Sequence, residues 1–558
     1  MSRNFAKWWV LMALAGTLAI GCRPVERGMI GLSRIKSPVT LAAPAVNQPF
    51  NEQELLAVGV DPRTLKPADI GPTNAAAPTG ARYDSLADLR RTEPLVVVCL
   101  SGGGARAARM AAHTLACLEE KYNEIEPAEA AARPLGAHFD AWSTCSGGSI
   151  YASFAALRYR AGIRTNSFST LADEDASRSG TKHLGGMAAF FYFWPLNLGY
   201  APVMQLLTDW DTLDLFAHNL ALFHERGVPF FPFLHDLTLG DLPARPRFYF
   251  NATCRETARP FILTQSVVHR DLSGDPLTRL APDPLFQWIG EAPVSAGLGT
   301  LFQHASTLED LGSPPGRFPL AYAAMASSAF PGVFEPLALR FYRAETNSPL
   351  WWMRRQVTLV DGGIYDNSGV ITALQLFEHL RSRGGPAPAK LVLLAVDADN
   401  APDRYAGAEP PDLVPWRFGL PIRGASEGLA TLHKIYHHQQ ALVAAATRHH
   451  IRELEAQGLV DYFPVRLKDA GAIPAAPPSL LGIDRQFERV DLFGLVKRIP
   501  TDFVITDRED RELREVVRRL VLQGVDGKDP LAVRFVHALG GGEGHDGSRD
   551  DAKARRVD

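Results

Sequence analysis

Apolar residues fall into two regimes along this chain. Residues 23–92 are rich in Pro, Ala and Asn with little periodicity, apart from a short stretch at 51–58, and read as a tether. From Leu95 a repeating unit sets in. Residues 95–100 (LVVVCL) are an unbroken β-prone run, suited to a strand covered on both faces. Residues 101–106 (SGGGAR) follow as a turn, and 108–122 (ARMAAHTLACLEEKY) carry helical spacing. The unit then repeats, with 137–145 (AHFDAWSTC) as strand, a Ser/Gly turn, and 150–162 (IYASFAALRYRAG) as helix. Strand, tight turn and helix twice in succession predict parallel βαβ units and a layered α/β fold.

Residues 163–245 break this rhythm with two aromatic clusters, 189–200 (AFFYFWPLNLGY) and 228–237 (VPFFPFLHDL). Residues 247–254 and 259–268 then read as paired strands, and 356–360 as a strand before a glycine turn. A helix over 371–384 and a buried strand over 390–400 follow. The part from 401 to 527 is expected to be helical, chiefly over 425–457 and 503–524. The polar, Gly-rich residues from 528 to 558 are expected to form a disordered tail.

The first segment reads as an address. Arg3 and Lys7 precede an apolar run, Trp8 to Ile20, too short to cross a bilayer as a straight helix. Small residues follow, as in a cleavable signal peptide over 1–21. The ending Leu18-Ala19-Ile20-Gly21-Cys22 resembles a bacterial lipoprotein lipobox, which makes Cys22 the expected lipidated first residue of the mature chain. Arg23 after it favours the outer membrane of a bacterial cell envelope over the inner one.

Composition narrows the function classes. Of 558 residues 46% are hydrophobic and 21% charged, which permits a sizeable core and excludes whole-chain disorder. The net charge of −3 offers no basic excess for nucleic acid. The five cysteines show no CxxC pair, so neither a zinc finger nor a disulfide framework is indicated.

Three pieces can carry chemistry. In Ser101-Gly102-Gly103-Gly104-Ala105-Arg106, consecutive glycines let the backbone approach a ligand, and N–H groups at a helix start can bind a phosphate or an oxyanion. The loop lacks the Gly-Lys-Ser/Thr ending of a Walker A motif. Alone it is equally an ordinary strand-to-helix turn. Ser146, between Cys145 and Gly147-Gly148, sits at a second such junction, the geometry of a nucleophile elbow. Thr144 replaces the glycine usual two residues before the serine, and a plain helix cap is the competing reading. Asp361-Gly362-Gly363 follows a strand and could hold a desolvated carboxylate base, although Asp-Gly is also the commonest turn dipeptide.

Together, in this order, the three pieces resemble the patatin-like phospholipase family. Residues 247–261 (RFYFNATCRETARPF) are similar to its F-N-A-T strand and hairpin. Residues 324–336 (AMASSAFPGVFEP) resemble its alanine–serine–proline element, and 360–370 (VDGGIYDNSGV) its D-G-G-x-x-x-N loop. The resemblance implies a three-layer α/β sandwich with a mostly parallel central sheet over 93–527, the aromatic insert 163–245 serving as lid. It also implies a lipid acyl hydrolase with Ser146 as nucleophile and Asp361 as sole base. Gly102, Gly103 and Gly104 become the expected oxyanion donors, and Arg106 the residue that steadies the loop or attracts an anionic headgroup. The implied partners are an acyl-ester lipid and a membrane surface, with no cofactor and no metal.

Two other readings stand beside it. A Ser-His-Asp α/β-hydrolase would draw on His379, His433, His437, His438, His449 or His450, all in helical stretches rather than a loop after a strand. A catalytically inactive lipid-binding envelope lipoprotein is favoured by Thr144 alone. His433 and His437 lie four apart, but Lys434 stands where a zincin has Glu, and Asp397 with Asp399 reads as a strand-end turn.

Overall fold

Two runs of strands meeting along one edge organise the molecule. The structure, a computed structural model, describes residues 89, 91–176, 212–225, 237–255, 259–265, 305–311, 313–331, 334–340, 356–382, 386–399, 443–472, 507–523 and 529–540. The leader with Cys22, most of the tether, the aromatic stretch 189–200, most of 228–237 and residues 541–558 lie outside the described residues.

Among the described residues nine strands form one mixed sheet: β1 Leu95–Leu100, β2 Ala141–Cys145, β3 Arg247–Cys254, β4 Pro260–Thr264, β5 Ser306–Thr307, β6 Leu337–Arg340, β7 Gln356–Asp361, β8 Leu391–Asp397 and β9 Val460–Arg466. The main path runs β5-β4-β3-β2-β1-β8-β9, and the stretch β3-β2-β1-β8-β9 is parallel throughout. The helices of eight or more residues are α1 Gly104–Ile125, α2 Gly147–Arg160, α3 Ser167–Ala176, α4 Thr212–Glu225, α5 Leu320–Ser327, α6 Val370–Ser382, α7 over 443–456, α8 Asp507–Leu522 and α9 Leu531–Leu539.

Strand alternation explains the layering. Val96, Val98 and Leu100 of β1 join Val392, Leu394 and Val396 of β8 in a core with α1, α2, α5, α8 and α9. Leu95, Val97 and Cys99, with Leu391, Leu393 and Ala395, face the other way into a core with α6 and α7. A sheet buried on both faces needs the unbroken apolar strands that LVVVCL and LVLLAV supply. The result is the expected three-layer α/β sandwich with a mostly parallel centre.

At the sheet end where β1 begins, the buried Asp140 carboxylate accepts from Arg91 at 2.6 and 2.7 Å and from the Val96 N–H at 2.9 Å, and pairs with Arg245. These contacts fix β1 and β2 in register at the end where Leu95 and Ala141 enter the sheet.

Two expectations for the C-terminal part change. The stretch 401–527 is not wholly helical, because β9 adds a parallel edge strand to β8. Pro464 reads as a breaker in sequence, yet an edge strand tolerates proline because one side of its ladder is unpaired. The stretch 528–558 is not wholly a disordered tail, because α9 packs on α1 with Leu531, Ala532, Phe535 and Val536 buried. Burying a side chain such as Phe535 contributes about 1.5–3 kcal/mol, enough to hold a short helix whose flanks are Gly- and Asp-rich. Next to it α8 docks on α1 through charge. Arg109 gives two bonds of 2.7 Å to Asp510, and His113 Nε2 lies 3.0 Å from the same carboxylate.

Candidate active site

The register of β3 brings Ser146 and Asp361 together. On one edge of β3, β2 pairs in parallel as far as Cys145 opposite Asn251. From the next residue β7 takes over that edge in the antiparallel sense, with Asp361 opposite Ala252. The two strands therefore point at each other end to end, and the residues that close them are neighbours. Ser146, directly after β2, and Asp361, the last residue of β7, meet at this junction.

Ser146 has φ 48° and ψ −121°, a conformation that L-residues avoid. Such strain persists only where neighbours over-determine it. Here the Ser146 N–H donates to the Ser327 carbonyl at 3.2 Å and to Ser327 Oγ at 3.1 Å. The turn leaves no room for side chains on the next two residues. A Cβ at Gly147 would stand 2.0 Å from the Gly104 carbonyl oxygen, and one at Gly148 2.7 Å from that of Ser101. Thr144 fits despite replacing a glycine. It is buried in β2, and its hydroxyl lies 2.9 Å from Ser149 Oγ.

Asp361 is buried and, among the described residues, has no cationic partner. Its Oδ1 accepts the Gly363 N–H at 2.7 Å, and the Cys145 thiol points at the same oxygen from 3.8 Å. Burial pushes its pKa up to about 6, against the opposing hydrogen bonds from Gly363 and from the Ser146 and Cys145 side chains. Cys145, a nucleophile by type, is instead a buried thiol raised far above its ordinary value by burial and then by Asp361.

The loop after β7 grips the glycine loop. The Gly102 N–H donates to the Asn367 carbonyl at 2.8 Å, and a Cβ on Gly102 would meet Asn367 Oδ1 at 2.2 Å. Of the three glycines expected to serve an oxyanion, Gly102 is therefore already committed. Gly103 (φ 132°) caps α1, and Gly104 opens it with φ 58°. The N–H groups of a helix's first turn have no partner within the helix. Arg106, in that turn, is 2% exposed, so its side chain lies inside the fold. Ser101 ties the loop to β8 by accepting the Ala398 N–H at 2.8 Å.

Asp366 and Asn251 complete the frame, and neither was singled out from sequence. Asp366 accepts from the Ser368 hydroxyl and from the N–H groups of Ser368, Gly369 and Ile371 at 2.8–3.1 Å, which caps α6. Asn251 donates to Ser143 Oγ at 3.0 Å and accepts from Thr372 at 2.9 Å. Its carbonyl lies where any Cβ on Gly362 would fall, at 1.9 Å. Both residues lie inside elements that the motifs mark, but their partners are remote in sequence.

The histidines considered above lie elsewhere. His450 on α7 pairs with Glu378 at 2.7 Å, and His449 pairs with Glu453 on the same helix. His379 lies in the last turn of α6, roughly 14 Å along the helix from its start. His433, His437 and His438 are outside the described residues. Among the described residues no cluster of three or more metal-ligating side chains occurs.

Comparison with known proteins points to one family. The family model described as "Patatin-like phospholipase" matches residues 98–374, from β1 into α6. No curated relative matches the chain. Among solved structures, human GIVD cytosolic phospholipase A2 is similar at 12% identity over 89% of this chain and 68% of that one, with a TM-score of 0.33. The family's name denotes hydrolysis of lipid acyl esters, and the matched span contains the glycine loop, the serine turn and the Asp-Gly-Gly loop. Through residues 98–374 the chain belongs to the patatin-like phospholipase family.

Proposed function

We propose that the protein is a serine lipid acyl hydrolase working through a Ser146–Asp361 dyad. The observation that carries the reading is the end-to-end meeting of β2 and β7 on one edge of β3. It sets a strained serine beside a buried carboxylate whose pKa of about 6 lies near working pH. A base tuned this way is largely deprotonated at neutral pH yet still able to take a proton.

Asp361 removes the Ser146 hydroxyl proton as Ser146 Oγ attacks the ester carbonyl carbon. The carbonyl oxygen becomes an oxyanion, held by the Gly103 and Gly104 N–H groups at the start of α1. Each such donor is worth about 3 kcal/mol of transition-state stabilisation. The tetrahedral intermediate collapses, the alcohol leaves with the proton from Asp361, and the acyl group remains on Ser146. Water, deprotonated by Asp361, then attacks the acyl-enzyme and releases the fatty acid, and Ser146 recovers its proton. Arg106, inside the first turn of α1, steadies the glycine loop. Its burial supports that role over contact with a headgroup in solvent.

A fluorophosphonate probe tests the dyad. Wild-type protein labels at Ser146, and Ser146→Ala does not; labelling at any other residue, or none, overturns the reading. The inactive-lipoprotein alternative predicts no labelling. We propose further that Cys22 carries a lipid anchor in a bacterial envelope. Cys22→Ser should then move the protein from the membrane to the soluble fraction, and an unchanged membrane fraction refutes it.

A further inference from the structure

We infer that Ser327 is a positioning residue for the reaction: one side chain and its carbonyl lock the turn that carries the nucleophile to the turn that carries the base. The inference rests on the dyad proposed above and deepens it.

Ser327 is the last residue of α5 and is fully buried. A helix's final carbonyls have no partner within the helix. The Ser327 carbonyl finds two outside it. It accepts the Ser146 N–H at 3.2 Å and the Gly362 N–H at 3.1 Å. Gly362 directly follows Asp361, so one oxygen holds the backbone on both sides of the reacting pair. The Asp361 N–H is held by the neighbouring Ala329 carbonyl at 2.9 Å.

The hydroxyl adds a second, directed chain. Ser327 Oγ donates its single hydrogen to the Asn251 carbonyl at 2.5 Å, the group that ends the β2 pairing on β3. With that hydrogen spent, Ser327 Oγ acts only as acceptor toward the Ser146 N–H at 3.1 Å and Ser149 Oγ at 2.8 Å. Ser149 must then donate to Ser327, and so must accept from Thr144 Oγ1 at 2.9 Å. Among the described residues Thr144 Oγ1 has one other acceptor within reach, the Tyr249 carbonyl at 3.4 Å, and the shorter contact to Ser149 takes its hydrogen, which gives the order Thr144→Ser149→Ser327→Asn251. It also gives the unusual Thr144 a function. Where an ordinary elbow carries glycine, this one carries the hydroxyl that starts the chain. The chain touches no reacting atom, and it holds Ser146 in its unfavourable φ and ψ by gripping the N–H.

The test compares Ser327→Ala with Ser153→Ala, using p-nitrophenyl butyrate turnover and fluorophosphonate labelling rates. Ser153 is a matched control on α2. Its buried hydroxyl bonds the Ile150 carbonyl at 2.7 Å and His224 at 2.8 Å, away from the dyad. For Ser327→Ala, kcat and the labelling rate should fall together, roughly 10- to 100-fold, because small misplacements of a nucleophile cost that much. KM should stay within about twofold, and the pH midpoint should not move, because Ser327 does not contact the Asp361 carboxylate. Ser153→Ala should keep wild-type kcat. If Ser327→Ala labels at the wild-type rate, or loses no more than Ser153→Ala, the inference is wrong. Should Ser327→Ala fail to fold, Ser149→Ala decides, with kcat expected down roughly three- to tenfold from one lost hydrogen bond and an unchanged kcat refuting the chain. A wild-type protein that never labels removes the dyad and this inference together; a failure confined to the Ser327 comparison removes this inference alone.

Discussion

Two carboxylates packed against the core, Asp361 buried and Asp510 14% exposed, are treated in opposite ways. Asp510 on α8 receives two bonds from Arg109 and lies beside His113. Burial alone would raise its pKa, but the bonds from His113 and Arg109 outweigh burial and hold it well below the ordinary carboxylate range. His113 itself is pushed down by burial, so Arg109 supplies the charge. Asp361 is fully inside the fold, but its donors are a backbone N–H, a thiol and a serine hydroxyl, and burial raises its pKa to about 6. A cation makes a buried carboxylate inert, and withholding one leaves it basic.

Exchanging each aspartate for asparagine separates these roles, and the largest effect belongs to Asp361. Asp361→Asn should lower kcat/KM by up to about 10⁴-fold, measured on an ester substrate. Stability should move the other way. An acid whose pKa is raised by folding destabilises the folded state as pH rises from about 4 to about 6, the range spanned by its ordinary and folded values. Removing that charge should therefore raise Tm at pH 7, by an amount equivalent to about 3 kcal/mol at most. A lower Tm in Asp361→Asn would break the comparison at its root.

Asp510→Asn should show the reverse pattern. Removing the Asp510 charge from beside buried Arg109 should cost about 3 kcal/mol in denaturant unfolding, while kcat per folded molecule stays near wild type. A loss of kcat in proportion would mean that α8 shapes the site as well as covering α1. Two smaller effects depend on pH. For the wild type, kcat/KM should drop tenfold per unit below pH about 6 as Asp361 takes up a proton. A midpoint near 4 would mean the carboxylate is solvated in the working enzyme. For Asp510, whose pKa folding lowers, stability is present above the ordinary carboxylate value and lost as pH falls through the folded one. The Tm gap between wild type and Asp510→Asn should therefore begin to narrow below pH about 4 and keep narrowing as the pH falls further.

These contrasts also mark what a sequence discloses. Ser146, Asp361 and the glycine loop were legible because turn chemistry is local: each sits between a recognisable strand and helix. The strands over 247–254 and 260–264 and their antiparallel pairing were legible from apolar runs and a short connection. Strand β9 was hidden by Pro464, whose cost vanishes only at a sheet edge, and edge position is a tertiary fact. Helix α9 was hidden by its polar flanks, because its stability comes from contact with α1 some four hundred residues earlier. The commitment of the Gly102 N–H to Asn367 and the junction made by Ser327 share that cause. Each depends on partners distant along the chain, which no local pattern encodes.

Strand β3 acts as a ruler. Because the strand that ends before Ser146 and the strand that ends at Asp361 hang on consecutive rungs of it, the separation of the two residues is set by backbone spacing and not by how much chain lies between them. Segments between 176 and 212, or between 265 and 305, can grow, shrink or change composition without moving Ser146 relative to Asp361. Selection is left free to rewrite those stretches while the Ser146–Asp361 gauge keeps its setting.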